Sequence, residues 1–117
     1  MSYRFYRDED GDPRTETSRD LRLLGRFLEA DVQGSIGICA ELLATLADIA
    51  AGRSKSRQVT GNAHTLILSK RRARIRAESG RSRDLVLSPE VLRQALLEWK
   101  TFLQNAAPMV RRSRVTR

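Results

Sequence analysis

The chain has 117 residues, room for one domain and one modest core. Apolar residues make up 40% of it and mean hydropathy is −0.46, and no uncharged run approaches the roughly 20 residues that a membrane-spanning helix needs. A single cysteine, Cys39, excludes an intramolecular disulfide and a cysteine metal cluster.

The net charge of +8 is unevenly placed. Residues 1–63 hold 9 Lys/Arg and 10 Asp/Glu, whereas residues 64–117 hold 13 and 4, so the basic excess lies in the second half. Of the 22 basic residues 19 are arginine, the side chain suited to bidentate contact with phosphate or carboxylate. A GC-rich genome would give the same bias without function. The N-terminal MSYRFYRDEDGD has no apolar core of a signal peptide, and the expected compartment is a reducing cytoplasm.

SYRFYRD (2–8) alternates apolar and polar residues and predicts a strand. DEDGDP (8–13) predicts a turn, and RTETS (14–18) a returning strand. DLRLLGRFLEA (20–30) fits both periods, and strand to about Phe27 is the expectation. From Asp31 to Ala51, Val32, Ile36, Cys39, Leu43, Leu46 and Ala50 recur at helical spacing, with Asp31 as the expected N-cap and Gly52 at the C-terminus. Gly34 and Gly37 either let the first turns lie close to a sheet or mark a later start at Ser35.

GRSKSRQ (52–58) predicts a linker. HTLILS (64–69) and RRARIRAE (71–78) predict a hairpin, with His64, Leu66 and Leu68 opposing Ala73, Ile75 and Ala77 on one face, and Arg72, Arg74, Arg76 and Glu78 on the other. DLVL (84–87) predicts a short strand. Ser88-Pro89-Glu90 starts a helix that runs to about Asn105 and stops at Pro108. The expected fold is α+β in two layers, an antiparallel sheet with two helices on one face in the order β-β-(β)-α-β-β-β-α, with one domain over 1–107 and a basic, disordered tail over 108–117.

Signals for catalysis are sparse. There is no Gly-rich phosphate loop and no His/Cys metal spacing. His64 has no nucleophile or orienting carboxylate at a diagnostic spacing, and a packed, hydrogen-bonded histidine is expected. Cys39, mid-stripe on a helix, reads as a buried inert thiol. LADIAAGRSKSRQVT (46–60) has a superficial helix-turn-helix outline, but Thr60-Gly61-Asn62 would break a recognition helix after one turn. A small basic ribonuclease toxin would place its helices early and its strands late, unlike this chain.

The expected contact residues are Lys70, Arg71, Arg72, Arg74, Arg76, Arg81 and Arg83. Three readings stay open for them: an acidic protein surface, the phosphates of RNA or DNA, or a solvated face. Sheet-based binders of single strands stack bases on exposed aromatics, and aromatics are 5% of this chain.

YRFYRDEDGDPRTETS, LGRFLEADVQGS leading into a helix with CAELL, TGNAHTLILS and LSPEVLRQALLEWKTFL resemble, in order and spacing over roughly residues 2–104, the YacL-like family of small bacterial proteins. The resemblance implies a compact α+β protein with no known catalytic centre. It also implies kinship with immunity proteins of contact-dependent growth inhibition and related polymorphic toxin systems, which bind and block a cognate toxin. The chain departs from those relatives in charge: they tend to be acidic where it has RRARIRAESGRSRD. The expectation is therefore a non-enzymatic immunity-type binder of a toxin protein, without cofactor, metal or membrane. The alternative is an electrostatic RNA- or DNA-binding module using the arginine face and the tail.

Overall fold

The computed structural model describes residues 2–105. The fold is α+β, with two antiparallel sheets and three helices. β1 (Tyr3–Arg7) and β2 (Pro13–Thr17) form a hairpin, with Tyr3 opposite Thr17 and Phe5 opposite Thr15. β3 (Ser56–Thr60), β4 (His64–Ser69), β5 (Ala73–Ala77) and β6 (Leu85–Leu87) form a four-stranded meander in sequence order. The helices are α1 (Arg22–Phe27), α2 (Ile36–Ala50) and α3 (Pro89–Gln104).

The core follows from the alternation. Leu66 and Leu68 of β4, Ala73 and Ile75 of β5 and Leu87 of β6 turn one sheet face inward. Against them pack Leu24, Phe27 and Leu28, then Leu42, Leu46 and Ile49 of α2, and Leu92, Leu96 and Trp99 of α3. Each fully buried leucine contributes about 1.5–3 kcal/mol relative to exposure. Phe5 meets the Trp99 ring edge-on at 4.8 Å and seats the β1–β2 hairpin on α3.

The structure departs from the sequence reading in four places. First, residues 20–30 are helical: a 3-10 turn (Arg19–Leu21) leads into α1, and a π-helical turn (Leu28–Val32) follows it. Leu21, Leu23, Leu24, Phe27 and Leu28 are all buried, so apolar residues occupy most of the helix circumference and blur its period. Gly25 lets α1 touch β2, since a Cβ there would lie 2.6 Å from Thr15 Oγ1. Second, α2 starts at Ile36, not Asp31. Its N-cap is Ser35, whose hydroxyl accepts the Ile38 N–H at 3.0 Å, which selects the later of the two starts.

Third, β3 begins inside the expected linker and runs past its end, a polar edge strand on which Ser56, Arg57, Gln58 and Thr60 are exposed and Val59 alone packs inward. Fourth, the strands divide between two sheets. The hairpin matches its predicted register, His64 opposite Ala77 and Leu66 opposite Ile75, and Ser88 caps α3 as expected, accepting the Val91 N–H. Pro108 and the tail from 108 to 117 lie outside the described residues.

Candidate binding surface on the open sheet face

Side chains alternate across a strand, so the residues between the inward positions of β4 and β5 share the opposite face. Register places Gln58, Ile67, Arg74 and Val86 in one row across the four strands, and Thr60, Thr65 and Arg76 in the next. This face is open: Val86 is 47% exposed and Arg76 is exposed.

The arginine row is not free charge. Arg76 Nη2 lies 3.0 Å and Arg74 Nη1 3.4 Å from Asp84 Oδ2. The Arg76 hydrogen bond, aided by Arg74, holds the Asp84 carboxyl below the usual carboxylate range, and Asp84 raises Arg76 in turn. Glu78 accepts a hydrogen bond from the Thr65 hydroxyl on the same side of the sheet. Two of the predicted contact arginines thus share one carboxylate, which offsets one of their two charges.

The other predicted residues separate along β5. Lys70 and Arg71 form the tip of the β4–β5 turn and Arg72 flanks it, with Ser69 N donating to the Arg72 carbonyl at 2.9 Å. All three are exposed, and among the described residues none has an ion-pair partner. Arg81 and Arg83 sit at the other end of β5, in the connection to β6. Five strand residues at about 3.3 Å each separate the two groups. The predicted seven therefore form a stripe, not one patch, with exposed basic residues that lack ion-pair partners, among the described residues, at both ends, at the β4–β5 turn and in the connection to β6.

No aromatic side chain lies in these rows. Tyr3, Phe5, Trp99 and Phe102 pack together between β1 and α3, so the open face offers no stacking platform for bases.

His64 is buried, as expected, and it has a carboxylate that sequence spacing did not show. Asp31, 33 residues earlier, places Oδ1 3.3 Å from His64 Nδ1 and accepts the backbone N–H groups of Ala63 and His64 at 3.0 and 2.9 Å. Phe27 faces the imidazole edge-on. No Ser, Thr or Cys nucleophile is bonded to the ring among the described residues, and the pair acts as a clamp on the β3–β4 turn. Cys39 is fully buried, and burial pushes its thiol up to about 11. β3 replaces the recognition helix that a helix-turn-helix would need. At the β1–β2 turn, Asp8, Asp10 and Asp12 bring carboxylate oxygens within 4.8 Å of one another. Asp8 is already committed to Arg14 and to the N–H groups of Asp10 and Asp12. No described helix is long and apolar enough to cross a membrane.

A family model described as uncharacterised protein family UPF0231 matches residues 1–88, from β1 through β6 to the cap of α3. Neither the curated proteins nor the solved structures give a match.

Proposed function

We propose that this chain, which belongs to the uncharacterised protein family UPF0231, is a non-enzymatic binding protein that docks an acidic protein surface at the basic end of its open sheet face. Its partner would be a bacterial toxin domain, with this chain as the immunity-type inhibitor. The finer kinship with YacL-like and immunity proteins is part of the same proposal.

One observation carries the reading. Lys70 and Arg71 at the hairpin tip and Arg72 beside them are exposed without carboxylate partners among the described residues, next to an open face where Ile67 and Val86 flank Arg74. Charged groups beside apolar ones suit a protein interface, where charge steers encounter and selects the partner. The absence of aromatics from that face favours protein over single-stranded nucleic acid.

The test uses Lys70→Glu/Arg71→Glu/Arg72→Glu. Arg74 and Arg76 are spared because reversing them would set new carboxylates against Asp84. Wild type and variant are used to capture partners from the native organism, with and without nuclease. The reading predicts a stoichiometric protein partner that survives nuclease and is lost by the variant, while the thermal midpoint stays close to wild type. It fails if the variant keeps the partner, or if the captured material disappears with nuclease.

A further inference from the structure

A second concentration of arginine lies away from the β4–β5 turn. Arg19, Arg22 and Arg26 are spaced three and four apart, which puts them on one face of the helical run from the 3-10 turn through α1. Arg83 faces them from the connection into β6, and the four line a cleft of about 630 Å3 with Leu23 and Leu85 among its walls. All four are exposed, and among the described residues none has an ion-pair partner.

We propose that this cleft is an anion site that takes a compact polyphosphate, the chemistry shared by inorganic polyphosphates and nucleoside di- and triphosphates. It is independent of the protein-docking surface proposed above.

Two carboxylates also line the cleft, and both are engaged. Asp84 is held by Arg76 and Arg74 from the sheet side. The Asp20 carboxyl is held below the usual range first by a hydrogen bond from the Ser18 hydroxyl. Four arginines therefore line a concavity whose acids are already occupied. Like charges around one cleft repel, and an anion with several negative oxygens relieves that repulsion while accepting paired N–H bonds from more than one guanidinium fork. A monoanion would satisfy one fork and leave the rest. The volume lies within the range of small-molecule sites, about 300–1,000 Å3, and no aromatic side chain lines it. Both features favour a compact ligand over a nucleic-acid strand.

The experiment is calorimetric titration of the full chain with tripolyphosphate, ADP, orthophosphate and a short single-stranded RNA at physiological salt. Tripolyphosphate should bind saturably at one site and more tightly than orthophosphate. Arg22→Glu/Arg26→Glu should weaken it by about tenfold or more, since two charge-assisted contacts are reversed. Arg71→Glu, which changes net charge equally per residue at the distant turn, should leave it nearly unchanged. Should the double variant fail to fold, Arg83→Gln tests the opposite wall. ADP binding more tightly than tripolyphosphate would identify a nucleotide as the ligand, and weaker binding an inorganic chain; both uphold a polyphosphate site. The proposal is overturned if no saturable binding occurs, if Arg71→Glu weakens binding as much as the cleft variant, or if RNA binds more tightly and loses affinity with the same variant.

Discussion

Asp31 Oδ2 accepts the His64 backbone N–H at 2.9 Å while Oδ1 accepts that of Ala63 at 3.0 Å and faces His64 Nδ1 at 3.3 Å. One carboxylate thus ties the end of the first helical run to the β3–β4 turn. Gly61 passes so close to this carboxylate that a Cβ would collide with it. Asp31→Ala leaves three donors without their acceptor, at about 1–3 kcal/mol for each that stays buried and unpaired. The expected total loss in urea unfolding is about 3 kcal/mol. Asp31→Asn, which keeps one acceptor oxygen, should lose less. A loss for Asp31→Ala within the range of an ordinary surface change would refute the clamp.

That clamp also marks the limit of reading the sequence. The β4–β5 hairpin was legible because Leu66, Leu68, Ala73 and Ile75 alternate strictly with polar residues, and α3 because Ser-Pro-Glu precedes a clean stripe. β3 was hidden because an edge strand with one inward residue, Val59, has no apolar period. The Asp31–His64 contact was hidden because the partners are 33 positions apart and no local pattern links them. Arg19, Arg22 and Arg26 become one row only once their segment is helical. Misreading that segment as a strand therefore concealed the cleft as well as the helix.

Gly25 is the position where α1 rests on the small sheet. A methyl group there would approach Thr15 Oγ1 to 2.6 Å and Thr17 Cγ2 to 2.9 Å. Thr15 cannot turn away freely, because its hydroxyl and its N–H both donate to Glu29, at 2.8 and 2.6 Å. Alanine improves helix propensity by about 1 kcal/mol, whereas overpacking costs about 1–3 kcal/mol. Gly25→Ala should therefore be neutral to destabilising by about 2 kcal/mol in urea unfolding. A clear gain in stability would show that the helix and β2 are not in tight contact.

Acid should loosen the sheet edge. The Arg76 hydrogen bond, with Arg74 beside it, lowers the Asp84 carboxyl in the folded state. The unfolded chain then takes up a proton at higher pH than the folded one. The stabilisation is complete above the ordinary aspartate range, near pH 4, and is lost as pH falls through the lowered folded value. Asp8, lowered first by its Arg14 hydrogen bond, acts in the same direction. Thermal midpoints of Asp84→Asn should lie below wild type at neutral pH and converge with it in acid. Parallel curves across the whole range would remove Asp84 from the account.

Cys39 should be silent while the protein is folded. It is fully buried, and its thiol is pushed up to about 11, so little thiolate forms at neutral pH. A disulfide reagent at pH 8 should react slowly with native protein and rapidly once denaturant is added. Rapid stoichiometric reaction without denaturant would place the thiol at the surface.

Gln33 occupies backbone space that suits glycine, with φ 56° and ψ −137°. It is the second residue of a turn closed by the Ser35 N–H donating to the Val32 carbonyl at 3.1 Å, a geometry that favours glycine at this position. The Gln33 carbonyl is held by the Trp99 indole N–H at 2.8 Å, which fixes the turn against α3. Strain of this kind costs about 1–3 kcal/mol and persists where its surroundings over-determine it. Gln33→Gly keeps the carbonyl and releases the strain, but it loses the side-chain bond to the Ala30 carbonyl and gains unfolded-state entropy. The expected order of stability in urea is glycine, then glutamine, then valine, with each step about 0.5–1.5 kcal/mol. Valine as stable as glutamine would mean that the turn relaxes freely and that the Trp99 bond does not hold it.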